Sequence, residues 1–164
     1  MRIRFLLLGL IVWANSAQAE PTLMGRDVTL SVQTYNDPAD MIFRGADHRS
    51  KVVEGLEFGL GREGVQNDID VVPILIDISA ERVEISYSIA DPSELMKARF
   101  NGYVLTFGPG CGQITKGRVD TEFTNIQFDD KRVSVRDGVL MLNVSTLTTD
   151  QSSRLAVDLT LSDC

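Results

Sequence analysis

The chain has 164 residues, with 16 basic and 23 acidic side chains, a formal net charge of −7, one histidine and two cysteines. An acidic chain without a basic cluster argues against nucleic acid as a partner, because phosphate neutralisation requires grouped lysines and arginines. A single histidine excludes histidine-rich metal sites, and the length favours one domain.

The first nineteen residues have the pattern of a secretory signal peptide. Residues 1–4 are basic, residues 5–13 are continuously apolar, and Ala17-Gln18-Ala19 is the small-x-small pattern of a cleavage site. The apolar run is shorter than the roughly 20 residues that a membrane-spanning helix needs. We therefore predict cleavage after Ala19, a periplasmic or secreted location, and no membrane span in the mature chain.

The two cysteines, Cys111 and Cys164, both lie in the exported part of the chain. An even cysteine count in an oxidising compartment predicts a disulfide. The bond would join Cys164 to the glycine-rich turn at 108–112, and the chain-entropy model gives such a loop about 4 kcal/mol. Two free thiols or a catalytic thiol are the alternatives. The catalytic alternative is disfavoured because His48 is far from both cysteines in sequence.

Apolar and polar residues alternate with period two along most of the chain after Asp27, which predicts β-strands. The clearest strand covers residues 155–162, in which every second residue is aliphatic. Two short links, Ala80-Glu81 and Asp137-Gly138, predict β-hairpins between the strands that flank them.

We expect about nine strands and one short helix, which begins at Asp91-Pro92-Ser93-Glu94 and continues through Lys97. Short connections between strands favour an antiparallel β-sandwich, with a small closed barrel as the alternative. Residues 20–26 are expected to form a loose leader before a single domain at 27–164.

No residue pattern predicts a catalytic centre. His48 could be drawn into a triad with Asp47 and Ser50, but adjacency in sequence is not catalytic geometry, so we interpret it as a solvated loop histidine. A glycosidase needs two carboxylates at a set spacing on a cleft. Nothing selects such a pair among the acids on the polar strand faces, which are Asp77, Glu84 and Asp158.

Calcium is the one metal that the sequence offers ligands for. Asn67, Asp68 and Asp70 present hard oxygen atoms at close spacing, and residues 36–40 form a second acidic turn. Neither segment matches the twelve-residue EF-hand loop, and Asn and Asp are also common turn residues. We therefore expect no cofactor, with calcium at Asn67, Asp68 and Asp70 as the alternative.

Three short motifs resemble those of small exported bacterial β-sandwich domains of unknown function. They are Gly55-Leu56-Glu57-Phe58, Ile76-Asp77-Ile78-Ser79 and Phe100-Asn101-Gly102-Tyr103-Val104. The order of elements is similar from residue 27 to residue 161. The resemblance implies a sandwich fold and export, and it implies no reaction, because these domains have no agreed catalytic residues.

We therefore expect an exported, non-enzymatic β-sandwich that acts by binding or by structural assembly. Its partner would be another exported protein, a surface polymer, or further copies of itself through an edge strand. One alternative is a calcium-assisted protein that binds or hydrolyses glycans, which a thermal melt with and without calcium would detect. The other is an inhibitor of an extracellular hydrolase, which a stoichiometric hydrolase partner would reveal.

Overall fold

The computed structural model describes residues 20–60, 65–66, 69–70 and 72–164, so the predicted signal peptide lies outside the described residues. These ranges contain one 3-10 helix, Asp130–Arg132, and fifteen strand segments. The strands are β1 (Asp27–Asp37), β2 (Asp40–Arg44), β3 (His48–Lys51), β4 (Leu56–Leu60), β5 (Val65–Gln66), β6 (Ile69–Asp70), β7 (Ile74–Ile78), β8 (Arg82–Ser86), β9 (Ser93–Glu94), β10 (Phe100–Phe107), β11 (Ile114–Val119), β12 (Val133–Arg136), β13 (Val139–Asn143), β14 (Thr148–Thr149) and β15 (Arg154–Leu161).

Two antiparallel sheets make up the fold. The six-stranded sheet has the order β12-β13-β10-β1-β2, and β3 also pairs with β1. The five-stranded sheet has the order β11-β15-β8-β7-β4, and two small ribbons pair β9 with β14 and β5 with β6. The predicted all-β, sandwich-like fold is confirmed. Within the described ranges, no helix is long and apolar enough to cross a bilayer.

The core lies between the two sheets and is mostly aliphatic, with five aromatic members among the described residues: Phe43, Phe58, Tyr87, Tyr103 and Phe128. Alternate residues of the paired strands point into it, as period-two patterning requires. Burying each of these side chains contributes about 1.5–3 kcal/mol relative to leaving it exposed. The fully buried members include Leu30, Ile74, Ile76, Ile78, Val83, Ile85, Leu105, Leu140, Leu142, Leu155 and Val157.

Both predicted hairpins are confirmed. Strands β7 and β8 pair antiparallel on either side of the short link at 79–81, and β12 pairs with β13 across Asp137 and Gly138. Asp137 and Gly138 have φ angles of 51° and 75°. Positive φ at both central residues is the geometry of a type I′ turn, which matches the right-handed twist of the strands that it joins.

The predicted short helix at 91–97 is wrong. Ser93 and Glu94 form β9, which pairs with β14. The N–H of Leu95 donates to the carbonyl of Leu147 at 2.8 Å, and Leu95 is only 7% exposed. Hydrogen bonds to a distant segment and burial of Leu95 therefore outweigh the local helix-start signal.

The prediction of a loose leader at 20–26 is also wrong. Leu23 is fully buried, and its N–H donates to the carbonyl of Ala80 at 2.8 Å. The N–H of Gly25 donates to the carbonyl of Val52, also at 2.8 Å. The segment is held because it contributes both a core side chain and backbone hydrogen bonds to two distant parts of the chain.

Candidate functional site

Cys111 and Cys164 are disulfide-bonded, and their Cα atoms lie 5.1 Å apart. The bond joins the turn before β11 to the residues after β15. Arg26 holds the same turn, because its Nη1 donates to the carbonyl of Gly112 at 2.8 Å and its Nη2 donates to the carbonyl of Gly108 at 2.6 Å. A covalent bond and a buried arginine thus fix this turn, which gives both features a structural role.

The structure places His48 in strand β3 rather than in a loop, so the loop interpretation is wrong. His48 is half-buried and lies opposite Leu30 of β1, and Ser50 lies opposite Val28 of the same strand. Asp47 contacts Arg44, with 3.5 Å between its Oδ1 and the arginine Nη2. Sheet pairing therefore accounts for the positions of His48 and Ser50.

A charged cluster lies on the outer side of the five-stranded sheet, and we call it the Arg82 cluster. The Arg82 guanidinium contacts Glu84 at 2.6 Å, Asp158 at 2.6 Å and Asp120 at 2.8 Å. Burial alone lowers the pKa of Arg82, but its bonds to the three carboxylates outweigh burial and raise that pKa. The hydrogen bond from Arg82 lowers the pKa of Asp120. Two of the acids considered for catalysis thus neutralise an arginine.

The third of those acids, Asp77, lies opposite Glu84 in the β7–β8 pair. Its position on the half-exposed side of β7 matches the predicted polar strand face. The outer face of this sheet therefore holds all three acids that were weighed for glycosidase chemistry.

Calcium binding at Asn67, Asp68 and Asp70 stays a prediction. Asn67 and Asp68 lie outside the described residues, and of Asp70 only the place in β6 is described. In the acidic turn at 36–40, the Asp37 carboxylate accepts the N–H of Ala39 at 2.9 Å, which is ordinary turn bonding. The described part of the chain contains no group of three or more His, Cys, Asp or Glu side chains that could hold a metal ion.

The Gly55-Leu56-Glu57-Phe58 motif has a structural explanation. Gly55 has a φ of 106°, which favours glycine. Glu57 is 9% exposed, and its carboxylate accepts the N–H of Val53 at 3.0 Å and the N–H of Ile78 at 2.6 Å. Burial raises the pKa of Glu57, and the two hydrogen bonds oppose that effect. Glu57 thus joins the β3–β4 link to the end of β7.

An apolar pocket of about 460 Å³ lies among β1, β2, β9 and β10, and we call it the end pocket. Tyr103 is buried at its floor, and its hydroxyl donates to the Tyr87 hydroxyl at 3.1 Å. Burial raises the pKa of both tyrosines, so both phenols stay neutral at physiological pH. The apolar walls are buried side chains from four segments: Val32, Phe43, Leu95 and Val144.

The rim of the end pocket is polar. The Thr34 hydroxyl donates to Asn101 Oδ1 at 2.9 Å, and Asn101 Nδ2 donates to the carbonyl of Met96 at 2.9 Å. These groups hold the rim together. Asp91 and Glu94 are exposed on the rim, and within the described residues their carboxylates have no hydrogen bond or ion pair. Asp91 and Glu94 therefore make this part of the rim acidic.

A second, polar pocket of about 550 Å³ lies between residues 124–127 and 146–153. Most of its polar atoms bond within the fold. Asp150 accepts hydrogen bonds from Ser152 and Ser153, and Asn125 bonds to the backbone of Ser152 and Arg154. Because these groups are already satisfied, this pocket offers less to a ligand than the end pocket.

No protein-family model, curated protein or solved structure matches the chain. The resemblance based on short motifs therefore stays a prediction, and the fold rests on the observed strand pairing. Sequence reasoning did not identify the end pocket, because its walls come from segments far apart in the chain. The one local signal is the predicted motif at 100–104, of which Asn101, Gly102 and Tyr103 line the pocket.

Proposed function

We propose that this protein is an exported, non-enzymatic binding module that holds an apolar group of its partner in the end pocket. The observation that carries the proposal is the pocket itself, a cavity of about 460 Å³ with buried apolar walls and a polar rim. Ligand sites in proteins have this size and this mixture of apolar lining with a few polar groups.

The charge of the rim favours a neutral or cationic partner. The carboxylates of Asp91 and Glu94 are exposed at the mouth, and the whole chain has a net charge of −7. Complementary charge accelerates association and disfavours partners of like charge. An apolar side chain next to a lysine or arginine, on another exported protein, suits this mouth.

A binding role is supported by how the reactive side chains are used. Glu84 and Asp158 are bonded to Arg82, and His48 is part of a sheet. The hydroxyls of Tyr87 and Tyr103 bond to each other in the core. Export is supported by the disulfide, because such bonds persist in oxidising compartments.

A neutral apolar fluorophore, N-phenyl-1-naphthylamine, tests the proposal by titration against the full mature chain. We expect one binding site per chain. Ser93→Phe places a ring at the pocket mouth and should weaken the dye affinity about tenfold or more, because the ring occupies the volume that the dye needs. Ser88→Phe is the matched control, because Ser88 is exposed and does not line the pocket. Equal affinity for the two variants would contradict the proposal.

A further inference from the structure

A third pocket, of about 330 Å³, opens on the outer face of the six-stranded sheet. We call it the arginine pocket. It lies on the opposite side of this sheet from the core, where β1, β10, β12 and β13 run side by side. Its lining combines aromatic, cationic and apolar side chains, which include Tyr35, Arg99, Phe100, Ser134, Arg136 and Met141.

Two stacked aromatic rings form one wall of the arginine pocket. Tyr35 and Phe100 are direct partners in the β1–β10 register, and their ring centroids lie 5.1 Å apart with an interplanar angle of 20°. Phe100 is 6% exposed although it is on the outer face, because Tyr35 covers it. The pairing of two central strands therefore holds this wall in place.

Backbone contacts fix the positions of both arginines. The N–H of Arg99 donates to Asn36 Oδ1 at 3.0 Å, and its carbonyl accepts from Asn143 Nδ2 at 3.0 Å. Arg136 is the last residue of β12 and pairs with Val139 across the hairpin. The two side chains thus project from an ordered backbone.

The two guanidinium groups have no neutralising partners in the described part of the chain. Both side chains are exposed, and neither makes an ion pair or a side-chain hydrogen bond among the described residues. Two arginines that line one pocket favour an anion, because planar guanidinium donors match a carboxylate.

We propose that the arginine pocket binds an acidic segment of a partner protein, in which a carboxylate lies beside an apolar side chain. Arg99 and Arg136 would contact the carboxylate, and the Tyr35 ring with Met141 would contact the apolar side chain. A peptide presents both groups within one or two residues. This site is separate from the end pocket and does not depend on the function proposed for it.

A polypeptide fits the lining better than an acidic polysaccharide does. A polysaccharide presents many hydroxyls, whereas the uncharged hydrogen-bonding side chains of the described lining are the hydroxyls of Tyr35 and Ser134. A second copy of this chain is disfavoured, because two bodies of net charge −7 repel each other at long range.

Fluorescence anisotropy with a labelled octapeptide of alternating Glu and Leu tests this site on the full mature chain. A Gln-Leu octapeptide is the neutral reference. Arg99→Gln and Arg136→Gln should each weaken the affinity for the acidic peptide about tenfold, because each removes a charge-assisted contact. Arg118→Gln, on exposed β11 of the other sheet, makes the same change in net charge and should alter the affinity less than about twofold. Thermal melts of the three variants serve as the control that each variant is folded.

Several results would overturn the proposal. It fails if the acidic peptide binds no better than the neutral one, or if Arg118→Gln weakens binding as much as the pocket variants do. It also fails if oligogalacturonate binds in an Arg136-dependent way while the peptide does not, because the ligand is then a polysaccharide. Sedimentation that shows self-association abolished by Arg136→Gln would instead assign the site to a second copy.

Discussion

Arg82, on the outer face of the five-stranded sheet, differs sharply in its partners from Arg99 and Arg136, which line a pocket on the six-stranded sheet. On the five-stranded sheet, Arg82 is bonded to three carboxylates, and its guanidinium also lies 5.2 Å from the ring centre of Phe123. On the six-stranded sheet, Arg99 and Arg136 line a pocket and have no such partners among the described residues. The net charge of −7 therefore does not indicate which arginines are available to a ligand. That depends on which arginines the chain's own carboxylates contact.

Both proposed sites involve the six-stranded sheet. Its strands β1, β2 and β10 border the end pocket on the core side, and β1, β10, β12 and β13 border the arginine pocket on the other side. The five-stranded sheet contains the Arg82 cluster and the strand β15, after which the disulfide-bonded Cys164 follows. Both pockets thus border the six-stranded sheet, whereas the disulfide and the Arg82 cluster lie on the five-stranded sheet.

The largest effect should come from removing the disulfide. Cys111→Ser together with Cys164→Ser should lower the free energy of unfolding by about 4 kcal/mol, because the bond closes a loop between residues that are 53 positions apart. Urea unfolding measures the loss, and the unmodified protein in dithiothreitol is the control. Hydrogen exchange should rise more in β11 and β15 than in β1 and β10. Equal unfolding midpoints for the oxidised and reduced protein would refute the reinforcing role.

The six-stranded sheet should be most sensitive at Gly102. A Cβ atom at this position would overlap the carbonyl oxygen of Leu142 on the neighbouring strand. Gly102→Ala should therefore cost about 3 kcal/mol of unfolding free energy, as overpacking against backbone does. The control is Gly59→Ala in β4, where the new methyl group meets only a Leu75 side-chain atom at 3.5 Å, and the change should stay within about 0.5 kcal/mol. Similar losses in the two variants would contradict the close-approach explanation.

Substituting the arginines tests the difference between the two faces most directly, because the free energy of unfolding should respond differently on each face. Arg82→Gln leaves three carboxylates together without their cation and should lower the free energy of unfolding by about 2 kcal/mol. Arg99→Gln and Arg136→Gln remove no internal ion pair and should change it by less than about 0.5 kcal/mol each. Urea unfolding of the three variants under identical salt conditions gives the ranking. If the order is reversed, the contrast between the faces is wrong.

A smaller effect depends on pH and concerns Asp120. Its pKa is lowered by the hydrogen bond from Arg82, so the native state favours the ionised carboxylate. The stabilisation is therefore present above the pKa of the unfolded chain and is lost as the pH falls through the lower native pKa. The loss caused by Asp120→Asn should be seen at pH 7 and should disappear in strong acid. In an Arg82→Gln background the pH dependence should shrink but persist, because the Asp120 carboxylate also accepts the N–H groups of Glu122 and Phe123. A dependence as large as that in the unmodified protein would contradict the role of Arg82.

The local parts of the fold could be predicted from the sequence. Strand alternation in β1, β8, β13 and β15 and the Asp137-Gly138 turn depend on neighbouring residues, and the structure confirms them. The segment at 91–97 carries a local helix-start signal, but its pairing with residues more than fifty positions away determines its conformation. The burial of Leu23 likewise depends on distant segments that no local pattern reveals.

The candidate sites were less predictable than the fold. Arg82 finds its three carboxylates on β8, after β11 and on β15, so no spacing in the sequence indicates the cluster. Strands β2 to β4 lie in a stretch rich in charged residues and glycine, where alternation is weak. The end pocket draws walls from β2, where alternation is weak, and from the segment around Leu95, where the sequence predicts a helix.

The start of β10 serves both pockets at once, because successive residues of a strand face opposite sides. Phe100 stacks in the arginine pocket, and Asn101 and Tyr103 line the end pocket. Gly102 has no Cβ atom, which lets the backbone of Leu142 on the neighbouring strand pack closely against it. These four adjacent positions thus meet three different structural requirements, so a deep mutational scan should find this tetrapeptide intolerant at every site. A one-residue deletion there would invert the strand and dismantle both recognition surfaces together.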